Sequence, residues 1–335
     1  MKKFEKIFFS MIAMIMMVAV GSVFTSCTND DDDFRVPAQE TQLDQAPSQD
    51  SVAPMTRSVY LPNFGTDVQG WTRIKTGNNV VIYKKNNSNY KYIIADVNLS
   101  NANIGLLFGD NYIPTSVENW QILGCHYFQK YYVSSLAQNV SDCFFAVNFG
   151  LFHNSNDNST WDPSCYPFKQ GSFNDIGASL TSSYDYTGYS LYTMVFNQNV
   201  GVRLDNFTAS NWSNFSNTYG STSKAYVVRN DIGNSPNSYV RRTILAFTTL
   251  SSGYFRRMYV FITNDSIKEG DTNNLDSGTA KKYIKDFIEA QQQACVSIVY
   301  CPLDGGSSSQ LYIKGDSQNS FTSSRKVINA LIVKD

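Results

Sequence analysis

The chain has 335 residues, of which 42% are hydrophobic, 14% are aromatic and only 16% are charged. Its formal net charge of −1 offers no basic excess, so a protein whose main task is to bind nucleic acid is excluded. The 21 Tyr and 22 Phe residues, set among polar ones, are typical of a strand-rich fold with polar loops.

The first segment has the order of a secretory signal peptide. Three lysines within the first six residues precede an apolar stretch over residues 7–24, and the sequence Phe-Thr-Ser-Cys then ends at Cys27. A cysteine directly after small residues at the cleavage point is typical of a lipobox. We therefore predict that residues 1–26 are removed and that Cys27 carries a lipid. The alternative is a transmembrane helix, because an apolar run of about 18 residues is at the lower limit for spanning a bilayer.

Residues 27–57 are predicted to form a lipidated, flexible tether. They are polar and acidic, with scattered Pro and Gln, and they contain too little apolar surface to fold. The acidic run from Asp30 to Asp33 resembles the surface-export signal of Bacteroidetes lipoproteins. We expect an outer-membrane lipoprotein on the cell surface, held to the membrane by its lipid, with the periplasmic leaflet as the alternative.

The folded domain is predicted to span residues 58–335. Two strand pairs separated by short polar turns read as hairpins, and residues 277–293 carry the clearest helical pattern of apolar positions. We therefore predict a single α+β domain, strand-dominated, with a mixed or antiparallel sheet and two or three helices. The predicted strands are 80–83, 90–98, 143–148, 191–196, 200–204, 240–249, 254–263, 296–303, 310–314 and 327–333, and the predicted helices begin at Thr115 and span 131–138 and 277–293.

Cysteine and histidine usage argues against a metal site or a bound cofactor. An odd number of cysteines remains after Cys27, none in a CxxC spacing, and the chain has only two histidines, His126 and His153. We expect the remaining cysteines to be small buried side chains rather than a disulfide framework. They are Cys125, Cys143, Cys165, Cys295 and Cys301.

The sharpest local feature is the stretch from Pro302 to Ser309, Pro-Leu-Asp-Gly-Gly-Ser-Ser-Ser. Two glycines after a buried strand allow a tight turn, and successive backbone amides in such a turn can bind an anion. Asp304 at the end of the strand can face a pocket. The same composition is also ordinary turn chemistry.

This stretch resembles the Leu-Asp-Gly-Gly-Gly-Ser-Ser signature of the phosphodiester glycosidase family, whose activity removes N-acetylglucosamine from mannose-6-phosphate tags. The resemblance runs from about Tyr90 to Val333, with further motifs in the family's order. They are residues 90–99 (Val-Asp-Leu-Ser in the family), 145–152 (Ala-Ile-Asn-Gly-Gly-Phe-Phe), 241–246 (Pro-Arg-Thr-Ala-Ile-Gly), the helix at 279–293, and 325–331 (Arg-x-Val-x-x-Ala-Leu).

The resemblance implies a glycosidase that cleaves a sugar from a sugar-1-phosphodiester on a glycan or envelope polymer. It implies catalytic roles for Asp304, Arg242 and Asn148. It implies substrate-binding roles for Gly305, Gly306, Ser307, Ser308, Phe149, His153 and Thr243.

Each implied role has a physical basis. Arg242 is suited to bidentate phosphate binding, although a strand-surface arginine is the alternative. Asp304 can stabilise an oxocarbenium ion, act as a nucleophile or fix a sugar hydroxyl. Asn148 can bind a hydroxyl as donor and acceptor. His153 is either a general acid or an ordinary loop histidine.

The chain also departs from the family pattern. Phe149 replaces the first glycine of its motif, Ser307 replaces the third glycine of the signature, and Ala246 replaces a glycine after Arg-Thr. Phe149 either narrows the pocket or stacks on a sugar. Trp161 and Tyr166 either form a sugar platform or pack in the core. Two functional classes therefore remain: an enzyme, or a non-catalytic glycan-binding protein with a degenerate site.

The resemblance also predicts a geometry. Asn148, Arg242 and Asp304 should converge on one pocket, within about 10 Å of each other, because an unpaired charge inside a β core costs several kcal/mol. We expect His153 at the rim of this pocket and Phe149 in its wall.

Overall fold

The computed structural model describes residues 63–86, 91–116, 125–152, 160–170, 173–175, 191–197, 201–215, 224–229, 242–248, 254–264, 277–291 and 298–335. In chain order the strands are β1 (Trp71–Thr76), β2 (Val80–Lys85), β3 (Tyr92–Asn98), β4 (Asn103–Phe108), β5 (Asn111–Tyr112), β6 (Tyr127–Gln129), β7 (Cys143–Asn148), β8 (Trp161–Pro163), β9 (Phe168–Gln170), β10 (Phe173–Asp175), β11 (Leu191–Asn197), β12 (Gly201–Asn206), β13 (Lys224–Arg229), β14 (Thr243–Thr248), β15 (Arg257–Thr263), β16 (Ile298–Pro302), β17 (Leu311–Ile313) and β18 (Asn329–Lys334). The helices are α1 (Val133–Gln138), α2 (Ala209–Ser213) and α3 (Ser277–Gln291), and Gly306–Ser308 form one turn of 3₁₀-helix.

The strands form four sheets, and every strand pair within the described ranges is antiparallel. The strand orders are β1-β2-β3-β15-β14-β16, β10-β9-β13-β11-β12, β17-β7-β18-β4 and β5-β6-β8. The predicted strand-rich α+β class with a few helices is confirmed, and its sheets are antiparallel rather than mixed.

The six-stranded sheet is covered on both faces. In β3 the side chains of Ile93, Ala95 and Val97 enter one core, whereas those of Tyr92 and Ile94 enter another. Alternate residues of a strand face opposite sides, so a strand that is apolar at nearly every position must be covered twice. This explains why β3, β14 and β15 are continuous apolar runs.

The first core lies where the six-, five- and four-stranded sheets pack together. Val97 of β3, Val147 of β7 and Met194 of β11 all belong to it. These strands are far apart in sequence, so this core depends on long-range contacts between the sheets.

Helix α3 covers the other face of the six-stranded sheet. Its apolar stripe includes Ile284, Phe287 and Ile288, all fully buried. Phe287 meets the ring of Tyr83 edge-on, with 5.0 Å between ring centroids. Such pairs add to the area that the helix buries.

Both predicted hairpins are confirmed, since β11 pairs with β12 and β14 pairs with β15. The helices predicted over 131–138 and 277–293 are also present, as α1 and α3. The helix predicted from Thr115 is wrong at its start, because Thr115 and Ser116 lie in a bend; the positions after them lie outside the described residues. The sequence did not predict β1, β4, β13 or the β5-β6-β8 sheet.

The predicted signal peptide and tether lie outside the described residues, as do Cys27, His153 and Cys295. Within the described part of the chain, no helix combines the length and the apolar character needed to cross a membrane.

Candidate functional site

The candidate site lies at one end of the packed sheets, where three strands stop or start. Strand β7 ends at Asn148, β14 begins at Thr243, and β16 ends two residues before Asp304. Because β14 and β16 are antiparallel, the start of one lies beside the end of the other. Three motifs that are distant in sequence therefore meet at this edge.

Asn148 joins these three segments. Its side chain is 1% exposed, and its Nδ2 donates a hydrogen bond to the carbonyl oxygen of Asp304. Its Oδ1 accepts from Thr243 Oγ1 at 2.8 Å and from the backbone amide of Gln310 at 3.1 Å. These bonds hold the end of β7 against the turn that follows β16.

The role expected for Asn148 needs correction in this geometry. A carboxamide oxygen accepts about two hydrogen bonds, and Thr243 and Gln310 already supply two. Asn148 therefore cannot bind a sugar hydroxyl as both donor and acceptor. It acts as a positioning residue for Asp304.

Thr243 also links segments that meet at this end of the sheets. Its buried hydroxyl donates to Asn148 and lies 3.3 Å from Ser309 Oγ, and its carbonyl accepts the amide of Leu303 at 2.9 Å. It ties β14 to both sides of the turn. Direct contact with a substrate does not follow from these bonds.

Asp304 begins the glycine turn. Its backbone amide donates to the carbonyl of Phe149 at 3.0 Å, and the residue is 9% exposed. Gly306 has a φ of 54°, in the left-handed region that favours glycine. The backbone around the carboxylate of Asp304 is thus fixed on both sides.

The turn after Asp304 offers several donors. The described residues include no acceptor for the amides of Gly305, Gly306 and Ser307. The hydroxyl of Ser308 is fully buried and makes no hydrogen bond within the described part of the chain. Buried polar atoms are normally paired, so this turn has the character of a site that binds an oxygen-rich ligand.

Arg242 lies directly before β14 and extends the pairing of that strand with β15 by one residue. The amide of Thr263 donates to the Arg242 carbonyl at 3.1 Å, and Leu303 pairs with Thr243. The last pair of β14 with β16 is Ile244 with Pro302, and the amide of Asp304 bonds instead to Phe149. That Arg242 and Asp304 share one pocket stays a prediction. Arg242 is 9% exposed.

Phe149 is not placed as expected. Its ring is 2% exposed and belongs to the first core, where it meets Tyr226 edge-on at 5.4 Å between centroids. A ring enclosed in this way cannot stack on a sugar. The larger side chain, where the resembling family has glycine, fills space between the four- and five-stranded sheets.

Two further amide residues hold the site, and the sequence did not indicate them. Gln310 accepts the amide of Val133 at 3.1 Å and donates to the carbonyl of Arg325 at 2.7 Å. Asn329 Oδ1 accepts the amide of Gly150 at 2.9 Å. For Asn329 the sequence contains one signal, because this polar amide stands between the apolar residues Ile328 and Ala330.

Trp161 and Tyr166 do not form one platform. Trp161 meets Tyr112 edge-on at 5.1 Å, in the three-stranded sheet. Tyr166 packs against the cluster of Trp212 and Phe215, and its hydroxyl accepts from Arg229 at 3.0 Å. The two rings thus belong to different parts of the fold.

No group of three or more His, Cys, Asp or Glu side chains in the described ranges is arranged to hold a metal ion. Four cysteines are buried within those ranges, as expected for small apolar side chains. Two of them, Cys143 and Cys301, carry free thiols. Burial raises the pKa of Cys143 to about 11, and nearby Asp142 adds to the effect.

Comparison with known proteins gives little guidance. No protein-family model matches the chain, and no curated protein matches it. A crystal structure of a hypothetical protein from Synechocystis is similar with a TM-score of 0.37 and 11% sequence identity, over 80% of this chain. The match spans 64% of the length of that protein. A likeness this distant carries no argument about the activity.

Proposed function

We propose that the folded part of this chain is a glycosidase that splits a sugar from a sugar-1-phosphodiester. One observation carries the proposal. The side chain of Asn148 binds both the carbonyl of Asp304 and the hydroxyl of Thr243, which follows Arg242 in the chain. This contact between segments that resemble three separate motifs of one enzyme family supports the proposal.

The chemistry needs few groups. Water adds to the anomeric carbon, the bond from that carbon to the phosphate oxygen breaks, and its electron pair leaves with the phosphate. The products are a free sugar and a phosphomonoester. Asp304 stabilises positive charge at the anomeric carbon, and Arg242 binds the phosphate through two parallel N–H donors.

The turn supplies the remaining contacts. The amides of Gly305, Gly306 and Ser307 can donate to phosphate or sugar oxygens. Asn148, Thr243 and Gln310 do not touch the substrate in this proposal. They fix the backbone that carries the reacting groups, which lowers the cost of ordering the site on binding.

A turnover assay tests the proposal. The purified protein is incubated with methyl phosphodiesters of N-acetylglucosamine, glucose and mannose linked at the anomeric carbon, and the released reducing sugar is measured. We expect Asp304→Asn to lower kcat by at least about 100-fold and Arg242→Lys mainly to raise KM, because lysine loses the bidentate contact. Asp286→Asn, on the exposed face of α3, is the matched control.

Hydrolysis of no member of the panel, or equal rates for the wild type and Asp304→Asn, would overturn the enzymatic proposal.

One observation favours a second function, a non-catalytic glycan-binding protein on the same scaffold. Phe149 fills the position next to Asn148 with a buried ring, where the resembling family has glycine. Saturable binding of a sugar 1-phosphate without turnover is the result expected for that function.

We also propose that the protein is a lipoprotein anchored through Cys27, displayed on the outer-membrane surface. Support comes from the signal sequence and the acidic run after it. Cys27→Ala should leave the protein unprocessed or soluble in a membrane fractionation, while protease added to intact cells should degrade the wild type. Mature-sized Cys27→Ala protein in the membrane fraction would exclude the anchor.

A further inference from the structure

The small sheet β5-β6-β8 has two unlike faces. On its inner face Phe128 is buried against Phe108, with 4.6 Å between ring centroids. The buried carboxylate of Asp162 lies 2.9 Å from Lys130 Nζ near this face. These contacts fasten the sheet to the first core.

The other face carries the fully buried ring of Tyr127 beside the half-buried side chains of Tyr112, Gln129 and Trp161. Gln129 pairs with Trp161 across β6 and β8, and Tyr112 pairs with Tyr127 across β5 and β6. Since Tyr127 and Gln129 are two residues apart, all four side chains share one face. Tyr112 and Trp161 meet at 81° with their centroids 5.1 Å apart.

Polar groups are held beside these rings. The hydroxyl of Tyr131 lies 2.7 Å from Gln129 Oε1 and 3.2 Å from a carboxylate oxygen of Asp110. One amide and one carboxylate are thereby fixed at the border of the aromatic pair. We call Asp110, Tyr112, Gln129, Tyr131 and Trp161 together the aromatic face.

We propose that the aromatic face binds a neutral carbohydrate chain. Rings of Tyr and Trp cover the C–H faces of a pyranose, while amide and carboxylate oxygens accept its hydroxyls. The aromatic face carries one carboxylate and no basic side chain. A phosphate or a nucleic acid therefore lacks a cationic partner there, whereas a neutral sugar needs none.

The aromatic face is continuous with the candidate site through the backbone. The chain leaving Asn148 pairs with the chain leaving β8, by a bridge between Phe152 and Ser164 and by the amide of Cys165, which donates to Leu151 at 3.0 Å. These bonds join the segments that follow Asn148 and β8, and the proposal includes a glycan that extends from the aromatic face toward Asp304. The inference deepens the proposed function, because the substrate is then a polymer rather than a single sugar. It rests on the proposed function only for the end of the glycan that reacts.

Binding of neutral hexasaccharides tests the inference. The full mature chain is titrated with chitohexaose, cellohexaose and an α-linked mannohexaose by calorimetry. We expect at least one to bind, and Trp161→Ala to weaken that binding by about tenfold. Trp71→Phe is the matched control, because Trp71 packs on Phe287 of α3 and is not part of the aromatic face.

Gln129→Ala serves as a second variant in case Trp161→Ala alters the melting temperature. It should weaken binding several-fold while leaving that temperature unchanged. The titration measures binding without turnover, so failure of the catalytic proposal leaves this one intact. No binding by the wild type, or equal binding by Trp161→Ala and Gln129→Ala, would overturn the inference.

Discussion

Three buried amide side chains hold the candidate site, and each binds backbone groups from a different segment. Asn148 holds the turn at Asp304, Gln310 holds α1 and Arg325, and Asn329 holds Gly150. Buried amides cost free energy unless they are paired, and here the paired groups are the loops that form the site. Their role is to fix the backbone of these loops.

Replacing Asn148 by Ala should therefore destabilise the whole protein. The change removes three hydrogen bonds and leaves buried partners unpaired, so we expect a loss of about 2–4 kcal/mol in the free energy of unfolding. Urea denaturation measures it. Asn148→Asp keeps the acceptor oxygens but sets a buried carboxylate against the carbonyl of Asp304, and should lose at least as much.

Asn139→Ala is the matched control, since that exposed residue follows α1 and bonds only weakly to the Ser135 carbonyl at 3.4 Å. It should change stability by less than about 0.5 kcal/mol. If Asn148→Ala were as stable as this control, the amide network would not hold the site.

Cys143 gives a test of burial at the scale of one residue. Since burial raises its pKa to about 11, its thiolate is far less populated near pH 8 than that of an ordinary thiol. Alkylation of native Cys143 should be slow and should still accelerate between pH 9 and 11. Peptide mapping after iodoacetamide treatment measures the rate.

The raised pKa of Cys143 also makes the free energy of unfolding depend on pH. A thiol whose pKa is raised by folding stabilises the protein fully below its unfolded pKa, and that contribution is lost as the pH rises toward the folded value. Unfolding in guanidinium should bring the alkylation of Cys143 to the rate of an ordinary thiol. Equal rates in native and unfolded protein would show that the thiol is accessible.

Sequence alone marked part of the site at this scale. Asn148, Arg242 and Asp304 stand in motifs, and Asp304 directly precedes a glycine, so they could be named in advance. Gln310 and Asn329 could not, because their partners lie across the fold. The side-chain direction of Phe149 depends on packing between two sheets, which no local pattern contains.

Among the helices and strands, those defined by residues close together in the sequence could be predicted. The hairpins β11–β12 and β14–β15 and the helix α3 follow from turn residues and apolar spacing within a short stretch. The pairing of β3 with β15 joins residues more than 150 positions apart, so it follows from the completed fold. Short strands such as β5 and β8 are too brief to show a period.

A buried ion pair links three of these elements. Arg257 of β15 binds the carboxylate of Asp96 of β3 through Nε at 2.7 Å and Nη2 at 2.5 Å, and Gln291 at the end of α3 donates to the same carboxylate at 2.8 Å. Burial lowers the pKa of Arg257, but Asp96 more than offsets this, so that pKa lies above its ordinary value.

Breaking this pair should be costly. Asp96→Leu or Arg257→Met leaves a buried group without its partner, and we expect either change to cost about 3–5 kcal/mol. The double variant Asp96→Leu with Arg257→Met should recover much of that loss, because no buried charge remains. Urea denaturation of the four proteins completes the double-mutant cycle.

The exposed pair Lys282–Asp286 on α3 is the control, and removing it should cost less than about 0.5 kcal/mol. Strictly additive losses for Asp96 and Arg257 would contradict the coupling that the geometry implies.

For the whole molecule, composition predicted a strand-rich class, and the motif order predicted that distant segments meet. The number of sheets and their packing could not be predicted, since β3, β14 and β15 are buried on both faces and their apolar runs do not show which neighbour covers which face. The meeting of Asn148, Thr243 and Asp304 is a property of that packing.

A crystal structure of the protein soaked with N-acetylglucosamine 1-phosphate tests the central claim most directly. We predict density for the phosphate within hydrogen-bonding distance of the Arg242 guanidinium and the amides of Gly305 and Gly306, with the sugar ring facing the Asp304 carboxylate. Ligand bound elsewhere, or an Arg242 side chain directed away from Asp304 in the soaked crystal, would contradict the account.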